Sequence, residues 1–186
     1  MHFTLADLVT DITQNAVEAG ADTVELEISE SKSPDGGEFR FLVKDNGKGM
    51  TEEELSRAID PFVTDGIKHP NRKVGLGLPF LIQTAQQSGG GWDIKSEKGK
   101  GTTVTAWFDT GNVDIPPTGD IALMFRTILM FNDNKKQGAE IILRRKKAGD
   151  EYEVRKSELV EALGGLEDTR SLILLGDYLK SLESEE

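Results

Sequence analysis

The segment Thr64–Phe80, TDGIKHPNRKVGLGLPF, decides how the rest of the chain reads. A polar, basic stretch runs into Gly75-Leu76-Gly77-Leu78, and apolar residues at helical spacing take over from there. The first turn of a helix leaves its amide donors unpaired at the positive end of the dipole, so a glycine-rich helix start is a ready anion site. Gly75 and Gly77 let the backbone approach a phosphate closely, and Lys68, His69, Arg72 and Lys73 place cations just upstream. A Gly-x-Gly turn is equally a plain helix start, so the segment needs support from its surroundings.

Composition narrows those surroundings. A chain of 186 residues is long enough for one full core with material left for a small second lobe. No apolar run reaches the ~18 residues a membrane span requires. The N-terminal MHFTLADLVTDITQ is acidic where a leader would be basic, so the reading is cytoplasmic. The absence of cysteine excludes disulfides, thiolate metal sites and a cysteine nucleophile, and His2 and His69 are too few for a histidine-rich zinc site. A formal net charge of −11 disfavours nonspecific binding to nucleic acid or to an acidic membrane surface. Arg144-Arg145-Lys146-Lys147, with Lys135 and Lys136 nearby, is the local exception. It reads either as a solvated hairpin face or as a docking patch for an acidic partner.

Thr4–Gly20 reads as a helix, with Thr4 as N-cap, Asp7 completing a capping box, and Gly20 as C-terminal cap. Leu5, Leu8, Val9, Ile12, Ala16 and Ala19 mark its buried face, while Asp7, Asp11, Asn15 and Glu18 share another. Thr23–Glu30 and Glu38–Asp45 alternate as half-buried strands of a hairpin across the turn Ser33–Gly37. Thr51–Ala58 is a short helix stopped by Asp60-Pro61. Leu76–Ser88 is the next helix, and Trp92–Ser96 and Thr102–Phe108 form a second hairpin. The prolines of Gly111–Gly119 suggest a linker, dividing the chain into 1–110 and a small α+β domain or extension over 120–186. In that extension Asp120–Phe131 favours helix over strand, Ile141–Arg145 and Tyr152–Val154 form a hairpin, and Ser157–Leu163 and Thr169–Leu182 are closing helices.

Read as residues alone, the candidate chemistry keeps two readings at each position. Asn15, one helical turn after Asp11, offers an amide oxygen suited to Mg²⁺, which keeps most of its waters and takes few protein ligands. The same pair is also an ordinary solvated helix face. Asp45 opens a glycine-rich loop, with Gly47 and Gly49 permitting tight backbone. It is either an Asx-capped turn or a carboxylate placed to accept a hydrogen bond from the exocyclic amine of adenine. Gly99–Thr103 is either a hairpin turn or the support of Thr102 beside that base.

Four segments occur in order: D-x-x-x-N-A (Asp11–Ala16), DNGKGM (Asp45–Met50), GLGL (Gly75–Leu78) and GTTV (Gly101–Val104). Together they resemble the Bergerat-fold GHKL ATPases, the superfamily of DNA gyrase B, Hsp90, histidine kinases and MutL. Phe62–Phe108 is most similar to histidine-kinase ATP-binding domains, and the first helix is more similar to MutL; the likeness covers about residues 4–109. The resemblance implies an α/β sandwich, a mixed sheet with helices on one face, that holds ATP under a lid. It implies that Asn15 ligates Mg²⁺, that Asp45 binds the adenine amine with help from Thr102, and that Gly47, Gly49 and Met50 shape the pocket. It further implies that Gly75, Leu76, Gly77 and Leu78 meet the phosphates, and that the segment from Lys68 to Lys73 forms the lid.

Two departures from that pattern shape the expected activity. Histidine kinases carry the phosphoacceptor histidine on a dimerisation helix ahead of the ATP domain, whereas this sequence begins at the first ATP-site helix. The expectation is action on a separate protein rather than self-phosphorylation. Relatives that activate a hydroxyl carry Glu where this chain has Asp11, whereas histidine kinases often carry Asn. A hydroxyl benefits from a base and a neutral imidazole does not, so Asp11 is the candidate base for hydrolysis or for transfer to serine or threonine. The resulting expectation is a Mg²⁺-ATP-binding signal-transduction protein acting as a slow ATPase or as phosphoryl donor to a phosphoacceptor in trans. The alternative is a non-catalytic nucleotide sensor whose lid and C-terminal region bind a partner. A MutL-type repair ATPase is disfavoured by the acidic charge, and residues 110–186 are a candidate partner or homodimer contact.

Overall fold

The computed structural model describes residues 4–33, 36–60, 77–132, 138–147 and 149–184. Helix α1 (Leu5–Glu18) starts on the expected capping box. The Thr4 hydroxyl accepts from the Asp7 amide at 3.1 Å, and the Asp7 carboxylate accepts from the Thr4 amide at 2.8 Å. Two further amides of its first turn, those of Leu5 and Ala6, donate to the carbonyls of Pro117 and Thr118, both at 2.9 Å. The proline-containing segment thus satisfies donors that the helix cannot satisfy itself.

Strands β1 (Thr23–Ser33) and β2 (Gly36–Asp45) pair antiparallel. Helices α2 (Glu52–Ile59) and α3 (Gly77–Gln87) follow, and then the hairpin β3 (Gly91–Glu97) and β4 (Gly101–Asp109), with β4 pairing antiparallel to β2. The C-terminal extension joins the same sheet. After α4 (Ile121–Leu129), strand β5 (Glu140–Lys147) pairs parallel with β1, and β6 (Asp150–Arg155) pairs antiparallel with β5. Helices α5 (Lys156–Leu163) and α6 (Thr169–Glu183) close the chain. The result is one mixed six-stranded sheet in the order β3-β4-β2-β1-β5-β6.

Strand alternation separates its two faces. One presents Val24, Leu26, Ile28, Phe39, Phe41, Val43, Val104, Ala106, Phe108, Ile141 and Leu143 to a single core, where the apolar faces of α1, α3, α4 and α6 also bury. Phe108 lies against both Phe39 and Phe41, at ring-centroid distances of 6.2 and 6.3 Å. The apolar face of α4 settles it as a helix: Asp120 caps it by accepting from the Leu123 amide at 2.8 Å, and Ile121, Met124, Phe125, Ile128 and Leu129 are buried.

The other face of the sheet is polar. Arg144 bridges Glu25 and Glu153, Lys146 bridges Glu27 and Glu151, and the Arg40 guanidinium lies 4.9 Å from the centre of a Trp107 ring. The basic run 144–147 is therefore divided by the pleat rather than presented as one patch. Arg144 and Lys146 point to the polar face. Arg145 points inward and is 1% exposed, with Glu30 at 2.9 Å and Glu183 at 3.2 Å as its partners.

Candidate functional site

The site forms where the end of α1, the end of β2, the start of β4 and the start of α3 meet. Asp45 is the last residue of β2 and stands opposite Thr102 in the β2–β4 register. It is 8% exposed, and its Oδ1 accepts from the Gly47 amide at 2.7 Å. Burial pushes its carboxyl above the ordinary aspartate range, partly offset by the backbone amides of Gly47 and Thr102, which favour the charged form. A carboxylate has about four acceptor positions, so Asp45 retains capacity for a donor supplied by a ligand.

The loop after Asp45 is locked in place by contacts on every side. The Asn46 side chain accepts from the Asp22 and Thr23 amides, both at 2.9 Å, which ties the loop to the start of β1. The Lys48 amide donates to the Ala19 carbonyl at 3.1 Å, and the Lys48 carbonyl accepts from the Gly99 amide at 2.7 Å. Gly49 (φ +57°) and Gly101 (φ +107°) have left-handed backbone, and a Cβ on either would collide with the backbone of Glu97 or of Asp45, respectively. Met50, half-buried, donates its amide to the Ser96 hydroxyl at 2.8 Å, and that hydroxyl is also 2.8 Å from the Thr102 hydroxyl. Ser96 therefore links the glycine loop to Thr102.

Asn15 and Asp11 both lie on the exposed side of α1. Asn15 meets the start of α3, where a Cβ on Gly77 would stand 3.3 Å from the Asn15 side-chain nitrogen. Four residues on, Ala19 packs where a Cβ on Gly47 would stand, 2.9 Å away. One edge of α1 thus connects the Gly77 turn to the Asp45 loop. Leu78 packs half-buried against the core at the base of α3. Lys68, Lys73, Gly75 and Leu76, with the rest of the lid, lie outside the described residues.

The donor set fits a nucleotide. It combines a buried carboxylate with spare acceptor capacity, hydroxyls at Ser96 and Thr102 next to it, and a side chain-free position at Gly77 beside the Asn15 amide. Among the described residues no three His, Asp or Glu side chains cluster closely enough to hold a metal. A cation here would rest on Asn15 and on oxygens of its ligand, an arrangement that suits Mg²⁺.

Residue-type reasoning did not single out Ser96 or Asn46. Ser96 carried one available signal: the turn Glu97–Gly101 places it opposite Thr102 once the hairpin register is drawn. Asn46 gave only the general preference of Asn for turns, because its partners lie over twenty residues upstream.

Residues 3–112 match the family of histidine kinase-, DNA gyrase B- and HSP90-like ATPases, and the chain belongs to that family. Among curated relatives it is similar to the sensor histidine kinase ZraS of Escherichia coli, at 27% identity over 115 residues, or 62% of this chain and 23% of that one. It is 36% identical to the DNA mismatch repair protein MutL of Thermus aquaticus over 72 residues, covering 39% and 13% of the two chains. With sporulation kinase E of Bacillus subtilis it shares 33% identity over 98 residues, covering 53% and 13%. The chain therefore spans less than a quarter of the length of these relatives. Among solved structures, the catalytic domain of the histidine kinase ThkA aligns with a TM-score of 0.41 at 21% identity, covering 56% of this chain and 64% of that one. No helix among the described residues is long and apolar enough to cross a membrane.

Proposed function

We propose that the chain binds Mg²⁺-ATP between α1, the Asp45–Met50 loop and the start of α3, and spends it slowly, by hydrolysis or by transfer to a separate protein. The observation that carries this reading is the buried Asp45 carboxylate, held by the Gly47 and Thr102 amides, with Ala19 and Asn15 of the same helix end approaching Gly47 and Gly77. Asp45 accepts from the exocyclic amine of adenine, and guanine, with a carbonyl there, is rejected. Thr102, oriented by Ser96, supports the same edge of the base. Gly77 brings the backbone of the α3 start to the phosphates, together with Gly75, and Lys68 and Lys73 supply positive charge from the lid. Bound Mg²⁺ would neutralise phosphate charge and be held on the protein side by Asn15. Catalysis then rests on positioning and on charge stabilisation. Asp11, one turn before Asn15, is the base that orients the attacking hydroxyl.

Titration calorimetry with ATP and Mg²⁺ tests the reading. Wild type should bind ATP and discriminate against GTP. Asp45→Asn should lose that discrimination along with most affinity, and Asn15→Ala should lose the Mg²⁺-dependent part. Equal heats for ATP and GTP in the wild type, or unchanged turnover in Asn15→Ala, would remove the assignment. Asp11→Asn separates catalysis from sensing, because an ATPase or kinase loses turnover there while a sensor keeps ATP binding and its partner response.

A further inference from the structure

Away from the nucleotide site, exposed bulky apolar side chains concentrate on the C-terminal helix pair. Val160 on α5 and Ile173, Leu174 and Tyr178 on α6 are between 41% and 57% exposed. Between these helices and β6 lies a groove of about 440 Å³. Leu159, Leu163, Val154 and Leu175 line its inner part, and Leu174 and Tyr178 form its α6 wall. Helix α5 has no side-chain hydrogen bond at its N-cap and buries no residue fully, so its inner face is only half used by the fold.

Three charged residues line the groove: Arg155 is paired with Glu153, which leaves Glu158 as the one without an ion pair among the described residues. Glu158 lines it, Glu161 follows on the same flank of α5, and Asp177 stands beside Leu174 and Tyr178 on α6. None of these three carboxylates makes an ion pair among the described residues. Glu153, on the β6 side, is by contrast held by Arg144 and Arg155. An apolar channel between two helices, flanked by unneutralised carboxylates, is complementary to a helix with an apolar stripe and basic flanks. A second copy of this chain fits poorly, since the same carboxylates would face one another across the contact and the chain already carries a net charge of −11.

We propose that the α5–α6 groove is a docking site for a basic amphipathic helix of another protein. Apolar side chains at helical spacing enter between Leu159, Leu163, Leu174 and Tyr178, and flanking Lys or Arg meet Glu158, Glu161 and Asp177. The surface uses none of the nucleotide-site residues, so the two readings stand or fall separately.

The test uses the full chain and a synthetic peptide of about 18 residues, about five helical turns, with Leu at helical spacing and Lys on both flanks. A matched peptide carries Glu in place of Lys. Amide NMR titration should move resonances of α5, α6 and β6 with the Lys peptide and leave them unmoved with the Glu peptide. Leu174→Asp, an exposed position whose replacement leaves the core intact, should weaken binding by about tenfold or more, the loss expected at a central apolar contact. Glu158→Lys with Asp177→Lys should do the same, and the wild-type affinity should fall as salt rises. Leu174→Asp should bind ATP as the wild type does, and Asp45→Asn should bind the peptide as the wild type does. The proposal is overturned by no binding, or by shifts scattered over the acidic surface and insensitive to Leu174→Asp. It is also overturned by concentration-dependent self-association in the ultracentrifuge that Leu174→Asp abolishes.

Discussion

Ser96 shows how much of the candidate site depends on a side chain that touches neither base nor phosphate in the proposed binding mode. Its hydroxyl receives the Met50 amide and meets the Thr102 hydroxyl, each at 2.8 Å. Ser96→Ala leaves a half-buried amide without its acceptor, which costs about 1–3 kcal/mol, seen as a lower urea midpoint at unchanged m. ATP affinity should fall as well, because Thr102 and the loop lose their common anchor, and Ser96→Thr should restore part of both. Equal ATP affinity in Ser96→Ala would show that the glycine loop holds itself. Asp45 has a pH signature of its own. Burial raises its folded-state carboxyl above the ordinary value of 3.8, so the fold holds that proton more firmly than the unfolded chain does. Stability from this group is therefore greatest below 3.8 and declines as pH rises through the shifted value. The stability of Asp45→Asn relative to wild type should improve from pH 3.5 to pH 7, read as paired urea midpoints. A difference that is flat with pH would mean that the carboxylate sits in the fold without cost, as a well-solvated group does.

At the scale of elements, legibility followed the range of the interaction. Helix α1, the β1–β2 hairpin and α4 were readable because periodicity and capping residues are local; Thr4 with Asp7, and Asp120 ahead of Ile121, state where two of those helices begin. Asp45, Asn15 and Gly77 stand out in the sequence only as motifs in order, since neither alternation nor helical spacing separates a ligand-binding Asp from a turn-capping one. The parallel pairing of β1 with β5 was not readable, because nothing within either strand names a partner more than a hundred residues away. Arg145 was misjudged for a related reason. A charge in a basic run reads as solvated, and its counter-charges, Glu30 on β1 and Glu183 on α6, are distant in sequence. Glu183 also accepts from the Tyr152 hydroxyl, and burial, followed by that contact, drives the tyrosine pKa upward. Arg145→Ala would strand two half-sequestered carboxylates around a void, and removal of one partner from such a buried set costs about 3–5 kcal/mol. Lys146→Ala, on the polar face with its side chain 43% exposed, should cost far less, because its ion pairs are solvent-screened. Chemical denaturation of the two variants checks the contrast, and similar losses in both would mean that the inward guanidinium is effectively solvated.

For the molecule as a whole, the decisive fact is that one sheet carries both the family segment and the extension. Strand β5 completes the edge of β1, α4 packs against α1 and α6, and the amides at the start of α1 are satisfied by the carbonyls of Pro117 and Thr118. Removing the extension would expose Val24, Leu26 and Ile28 along an open strand edge and uncover the α4-facing side of α1. The two parts share one sheet and one core cluster and meet through long-range contacts. Calorimetric unfolding of the whole chain should give one transition whose van't Hoff and calorimetric enthalpies agree. At about 0.7 kcal/mol per residue near 60 °C, the enthalpy should be roughly 130 kcal/mol for this length. Mg²⁺-ATP at a hundred times its Kd should move that single transition upward as a unit, by about 2.7 kcal/mol of added stability. Two separate transitions, with only one shifted by nucleotide, would show that the family segment folds and binds independently and that the β1–β5 seam is a contact between neighbours rather than part of one core.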